Sequence, residues 1–547
     1  MNKKTSDILY YRKENIDKLK TDEFDILVIG GGITGAGIAR DAALRGYNVA
    51  LVEKDDFGSG TSSGSSKIIH AGIRYIGQGE FRLVREGSVE KKKILEMAPH
   101  LTRPIEFILP CYSDTKYPKS KVRIALWLYD LLAGFRNFTF HKILNPEKAR
   151  TVLPSKFREE NFQGVAMWSD GLMDDARLTL DVILSAEEHG AIVLNYCEAV
   201  LFKETEEGII QNVQVLDQMT REEFIIKTKS IVIACGHWTE KIVKKMNSNI
   251  KTQVRPTKGI HIITKKFYDR DYALASPIMD GRIFFTVPFG KYNLIGTTDT
   301  DYKADYDFVP VEAEDIDYLI EATNFIFPGI IRKEDIVSAY SGVRPLIVSP
   351  TAKLESDVSR EHEIFEIKPN SFAIAGGKYT TYRAMAKDLV DRLEMVLGQK
   401  SNCISDKIPL HGWISTKRKH WDSWKIVTKE NLTIRYQLSD DVATHLLKYG
   451  KNYRKICQEI DKKPELKERI SDSRPYIFAE INYHIKHEKA INLNDLMLRR
   501  TQIQLSDEQG LDCVQVIADH MGQLLNWSRE KIRNEIEDYK NKLVWKP

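Results

Sequence analysis

The sequence predicts an α/β chain: a Rossmann-like dinucleotide-binding domain, interrupted by an inserted antiparallel sheet and followed by a helical carboxy-terminal domain. Three observations carry that expectation. Asp25-Ile26-Leu27-Val28-Ile29 runs through Gly30-Gly31-Gly32-Ile33-Thr34-Gly35 into a small-residue helical stretch, short alternating strands crowd residues 255–301, and charged amphipathic helices fill the chain beyond Ser401.

The first strand is continuously apolar, as suits the middle of a parallel sheet. Gly30, Gly32 and Gly35 stand at GxGxxG spacing: the first allows a sharp turn, the second lets a pyrophosphate approach the backbone, and the third lets helix and strand pack closely. The helix start, with Ile33 and Thr34, then faces the phosphates. A second strand, Tyr47-Asn48-Val49-Ala50-Leu51-Val52, ends in Glu53, where a carboxylate can hold a ribose hydroxyl. The loop after it, through Thr61, Ser62, Ser63, Ser66 and Lys67, is rich in hydroxyls and backbone donors that can wrap a phosphate or ribityl chain.

At 547 residues the chain is too long for one core, so two or three domains are expected. With 81 basic and 77 acidic residues, the net charge of +4 implies no nucleic-acid partner. Six cysteines, none in a CxxC pair, suggest neither a disulfide framework nor a metal site and fit the cytoplasm. Met1 to Lys20 reads as a polar lead-in without a secretory signal. Ile124-Ala125-Leu126-Trp127-Leu128-Tyr129-Asp130-Leu131-Leu132-Ala133-Gly134-Phe135 is too short to span a bilayer; a buried core helix is expected there, with an interfacial membrane contact as the alternative.

Residues 25–76 resemble the amino-terminal signature of FAD-dependent glycerol-3-phosphate dehydrogenases, in which GTSS-S-(S/T)-K leads to HGG(L/I)RY. Here the second motif reads His70-Ala71-Gly72-Ile73-Arg74-Tyr75, with Ala71 for a glycine, and Gly64 fills a position that is often Arg. Glu80-Phe81-Arg82-Leu83-Val84-Arg85-Glu86 and Ala98-Pro99-His100-Leu101 continue the similarity. Ser230-Ile231-Val232-Ile233-Ala234-Cys235-Gly236-His237-Trp238 is similar to the superfamily's ATG-x-W segment, with Cys235 and His237 as departures expected to pack. The carboxy-terminal helices also resemble those enzymes, without the clustered cysteines of some relatives.

The resemblance implies an FAD-binding Rossmann-like domain of the D-amino-acid-oxidase/glutathione-reductase type over 22–95, 165–254 and 338–398. It implies a substrate-binding domain over 96–164 and 255–337, and a helical domain over 401–547. FAD is expected on Gly30, Gly32, Ile33, Thr34, Gly35, Glu53, Lys54, Thr61, Ser62, Ser63, Ser66, Lys67, His70, Gly72, Gly236, Trp238, Gly376, Gly377, Lys378 and Thr380. It further implies oxidation of glycerol 3-phosphate to dihydroxyacetone phosphate, with Arg74, Tyr75, Thr297, Arg344, Arg360 and Lys378 in the substrate pocket. Guanidinium forks suit phosphate oxygens. His261, in the family's TKG-x-H segment, is the candidate base and Lys378 its rival, and Arg344 completes the catalytic set.

Most relatives reduce a membrane quinone. Oxidase relatives use oxygen and tend to carry an inserted segment that is not identified in this chain, which favours a quinone and peripheral contact with the inner face of the cell membrane. A homodimer is expected by analogy alone. The alternatives are an oxidase on the same substrate, a related flavoenzyme oxidising another small hydroxy or amino acid, and a flavin-binding redox sensor without turnover.

Overall fold

Leu27 and Val28 of strand Glu23–Ile29 are wholly buried, and the strand sits inside a parallel array. It pairs with Glu223–Ile233 on one side and Val49–Val52 on the other. Ser371–Gly376 and Ile192–Leu194 extend the array in parallel at its two sides. Antiparallel His362–Lys368 covers one edge, and the hairpin of Cys197–Glu204 and Ile210–Asp217 joins Glu223–Ile233. Helix Ile33–Leu44 packs between Asp175–Glu188 and Tyr382–Leu397, burying its alanines and Ile38 in the core under the sheet. Helix Tyr10–Thr21 sends Ile16 and Leu19 to a second core on the other face.

The computed structural model describes residues 10–248, 250, 252, 254–278, 281–347 and 361–545. Arg360 and residues 1–9 of the polar lead-in lie outside the described residues.

Among the described residues the second sheet has 10 strands around Val254–Lys265, which pairs antiparallel with Tyr292–Gly296 and Ile336–Ile347. The expected antiparallel character holds except where Tyr272–Pro277 runs parallel to Thr102–Tyr112. Strand pairing also moves two expected boundaries. Phe162–Met173 pairs along its length with Thr102–Tyr112, and Ile336–Ile347 with Val254–Lys265, so both whole strands belong to this sheet. The boundaries expected at 164/165 and 337/338 fall inside them, because an apolar strand looks alike whichever sheet it joins.

The carboxy-terminal helices form their own cores, one around Ile481, Leu496 and Met521, another around Leu446, Ile456 and Tyr483. Buried ions dock this domain on the nucleotide domain. Asp56 accepts from Arg499 Nε at 2.5 Å and Arg500 Nη1 at 2.7 Å, and Glu488 accepts from Arg177 at 2.6 and 3.0 Å. Asp56 is three residues beyond Glu53, so the helical domain braces the loop that follows the second strand.

Helix Lys119–Leu132 corrects the expectation of a buried core helix. It buries Val122, Leu126, Tyr129 and Asp130 only, and Ile124, Trp127 and Leu131 face outward. The run is apolar on both sides, and the fold supplies a layer to cover only one of them.

Candidate active site

Between the two sheets lies a cleft of about 1460 Å³. Its nucleotide end is shaped by backbone contacts that exclude side chains. A Cβ on Gly30, which has φ +111°, would sit 2.6 Å from the Ala234 carbonyl, and one on Gly35 would sit 1.9 Å from the Gly30 carbonyl. Strand crossing and helix start are thereby held within backbone reach of each other. Ser62 Oγ accepts from the Ile33 amide at 2.9 Å, tying the hydroxyl-rich loop to the first turn of the helix.

Glu53 stands at the end of Val49–Val52 and accepts from the Gly31 amide at 2.6 Å and the Asp55 amide at 2.9 Å. Burial, reinforced by the Asp55 charge, pushes its carboxyl up to about 7. Lys54 lies over the Trp238 ring at 4.6 Å and pairs with Asp307. Cys235 donates to the Ile29 carbonyl at 3.2 Å, and the buried His237 packs 3.8 Å from the Trp238 ring, so both departures are packed as expected.

The other end of the cleft is cationic. Lys378 Nζ lies 3.8 Å and the Arg74 guanidinium 5.1 Å from the centroid of the Tyr75 ring. Arg344 donates to Thr297 Oγ1 at 2.8 Å and to Asp299 Oδ1 at 3.1 Å. Arg74 donates to the Tyr75 hydroxyl at 3.2 Å and feels the Asp299 charge only at a distance, so the ion pair of Asp299 is with Arg344. Arg74, Arg344 and Lys378 outnumber Asp299, and Lys116 and Arg282 also line the cleft, an excess of positive charge that suits a phosphate anion.

His261 projects from Val254–Lys265 into the cleft, with Nε2 at 2.8 Å from Ser66 Oγ and its ring stacked on Tyr340 at 4.8 Å. Burial, then the charges of Arg344 and Lys67, hold its pKa well below the usual range, so the imidazole is neutral at pH 7. His70 also lines the cleft and is held neutral by burial, at about 4.

Of the described candidates from the sequence, all line the cleft except Gly35, Ser63 and Lys67. Gly35 acts through packing. Ser63 is buried, its hydroxyl directed to the Gly60 carbonyl at 3.5 Å. Lys67 turns away to a buried ion pair with Asp175 at 2.5 Å, because the carboxylate that opens helix Asp175–Glu188 is the nearest charge for it. The sequence reading missed Asp299, Trp168, Phe285 and Arg282, which also line the cleft. Asp299, Arg282 and Phe285 fall within residues 255–301, read from the sequence only as alternating strands, and the long-range pairing that brings them and Trp168 to the cleft has no local signal.

The residues present fit a flavin dinucleotide. The glycine crossing leaves room for a backbone-bound pyrophosphate, Glu53 offers a carboxylate to a ribose, and the cleft continues to Gly376, Gly377 and Thr380 at the start of a helical turn.

Comparisons with known proteins agree with that geometry. A family model described as FAD dependent oxidoreductase matches residues 25–392, and one described as the C-terminal domain of alpha-glycerophosphate oxidase matches 403–532. The chain is 34% identical over 545 residues to the aerobic glycerol-3-phosphate dehydrogenase of Staphylococcus aureus (strain USA300), covering 96% of each. Among solved structures, the glycerol-3-phosphate dehydrogenase from Bacillus halodurans complexed with FAD superposes with a TM-score of 0.82 at 27% identity, covering 97% of each chain. The L-alpha-glycerophosphate oxidase from Mycoplasma pneumoniae with FAD bound shares the fold at 17% identity and a TM-score of 0.55, covering 70% of this chain and 98% of its own. A matched family model over most of the chain, and a relative matched over nearly all of it, give one conclusion: this chain belongs to the FAD-dependent glycerol-3-phosphate dehydrogenase family.

Proposed function

We propose that the protein oxidises sn-glycerol 3-phosphate to dihydroxyacetone phosphate and passes the electrons to a membrane quinone, as a peripheral protein at the inner face of the cell membrane. The observation that carries this reading is the cationic end of the cleft, where Arg74, Lys378 and Arg344 surround a space beside the neutral His261. Arg74 and Arg344 hold the phosphate; Tyr75 and Thr297 hydrogen-bond the glycerol part; Arg360 is retained as a further phosphate contact from the sequence alone.

FAD, held by the glycine crossing, Glu53 and the 59–66 loop, supplies the acceptor for the hydride that leaves C2. The protein's work is positional and protonic. His261 Nε2, shared with the Ser66 hydroxyl, takes the proton of the C2 alcohol as the hydrogen leaves with its electron pair. A neutral imidazole is the competent form for this, and its burial keeps it so. Lys378 Nζ, over the Tyr75 ring, is the other candidate for the proton and otherwise balances negative charge.

Among the described residues no helix is long and apolar enough to cross a membrane, so the membrane reading is one of surface contact. Oxygen as acceptor is the second reading, favoured by the match of residues 403–532 to the C-terminal domain of alpha-glycerophosphate oxidase. Anaerobic titration of the purified yellow protein with glycerol 3-phosphate tests both. Bleaching of the oxidised flavin is expected, with recovery on adding a quinone and little on adding air. A flavin that dithionite bleaches but the substrate does not would sink the substrate; rapid recovery in air would sink the quinone.

A further inference from the structure

Among the described residues, 119–140 hold six exposed large apolar side chains in one sequence segment. On helix Lys119–Leu132, Ile124, Trp127 and Leu131 are 64, 59 and 56% exposed, and the loop beyond it adds Phe135, Phe138 and Phe140. These side chains are spaced along one face, opposite Val122, Leu126 and Tyr129, which pack on the core. They also associate with one another across the loop, Phe135 with Phe140 at 6.0 Å and Trp127 with His141 at 5.1 Å. Single exposed apolar residues need no explanation, but a contiguous face of this kind marks a contact surface.

Charge selects the occupant. Residues 115–141 contain Lys116, Lys119, Lys121, Arg123 and Arg136 and one acid, Asp130, while Lys142 beyond them pairs with Glu106 at 3.1 Å. Asp130 is buried and bonded to His141 at 2.8 Å, so it offsets nothing at the surface. We propose that this helix and loop form the face by which the protein docks on an anionic lipid bilayer. The proposal rests on the membrane-quinone reading above and names the surface that serves it. A helix of 14 residues is about 21 Å long, too short to span but suited to lie in the interface with aromatic and aliphatic side chains inserted and lysines and arginines at the headgroups. A second copy of the chain fits less well, since a two-fold contact through this face would oppose basic rims.

The location suits the chemistry. Lys116 and Tyr117, immediately before the helix, line the cleft, and so do Gly77 and Gln78 of the turn Ile73–Gln78 that packs on the helix. An acceptor dissolved in the bilayer therefore meets the cleft beside the docked face.

Flotation of the full-length holoprotein with vesicles of phosphatidylcholine, alone or with about one-third phosphatidylglycerol, tests the proposal. Wild type is expected to float with the anionic vesicles and to be released in part by salt. Trp127→Ser/Leu131→Ser/Phe135→Ser and, separately, Lys121→Glu/Arg123→Glu are each expected to bind at least about tenfold more weakly while keeping substrate-driven flavin bleaching. Wild type that does not float, or a charge reversal that floats unchanged, overturns the proposal even if the apolar variant fails to fold. So does a wild-type dimer in sedimentation that the charge reversal leaves intact and the apolar variant dissolves. Wild type that floats but does not bleach refutes the substrate reading and leaves the docking face standing.

Discussion

Arg344→Ala is the substitution whose consequence can be worked most fully from the geometry. Arg344 is fixed by Thr297 and Asp299, with 20% of its side chain and 26% of that of Asp299 exposed, so it reaches the substrate already oriented. A hydrogen bond to a charged group contributes about 1.5–3 kcal/mol, which is about 10- to 150-fold in affinity. A second loss follows, because the variant strips Asp299 of its partner beside an incoming dianion. At an effective dielectric of about 20 and a separation of about 6 Å, one like-charge pair costs about 3 kcal/mol, and solvent at a partly exposed carboxylate reduces this to the order of 1 kcal/mol. Arg344→Ala is therefore expected to weaken substrate binding by about two orders of magnitude, and adding Asp299→Asn to recover about fivefold. Arg344→Lys keeps the charge but not the fork and falls between. Anaerobic stopped-flow flavin reduction reads both quantities, since the half-saturating concentration reports binding and the limiting rate reports chemistry. Unchanged half-saturation in Arg344→Ala, or no recovery on removing the Asp299 charge, would refute the reasoning.

The remaining expectations concern the base, the ribose carboxylate and the domain contact. His261→Asn is expected to lower the limiting rate of flavin reduction by about 100-fold or more with little change in half-saturation; near-normal reduction would transfer the proton to Lys378. Glu53 has a folded pKa raised from 4.5 to about 7, so its contribution to the stability of the FAD-free protein is full below pH 4.5 and is lost as pH rises through about 7. A ribose hydroxyl favours the ionised form, so FAD affinity is expected to weaken, by up to about tenfold per pH unit, as pH falls below about 7, and Glu53→Gln to flatten the profile; a flat wild-type profile excludes this role. Glu488→Gln leaves the buried Arg177 charge without its carboxylate and is expected to cost about 3–5 kcal/mol in denaturant unfolding of the holoprotein, with unchanged stability as the contrary result.

Local rules exposed the nucleotide end of the cleft to sequence reading. Gly30 and Gly35 serve contacts within a few residues of themselves or with the adjoining strand, and Glu53 follows from the end of the next strand, so spacing alone identifies them. The substrate end is assembled from long-range pairings. Arg344 meets Asp299 only because Val254–Lys265 pairs with both Ile336–Ile347 and Thr300–Asp301, the strand that Asp299 immediately precedes, and no pattern within either segment encodes that bond. Lys67 shows the converse error: its place in a phosphate-like loop suggested the cofactor, yet Asp175, distant in sequence, takes the ammonium into the protein. The same limit explains Ile124 to Phe135. A segment apolar on both sides reads as interior because periodicity reports which residues avoid water, while the number of neighbouring layers decides which of them succeed. Here the core covers Val122, Leu126, Tyr129 and Asp130 and leaves Ile124, Trp127 and Leu131 outside. The uncovered side is apolar with a rim of lysine and arginine, a composition that a buried helix has no use for and that an anionic bilayer can satisfy at both its headgroups and its acyl chains.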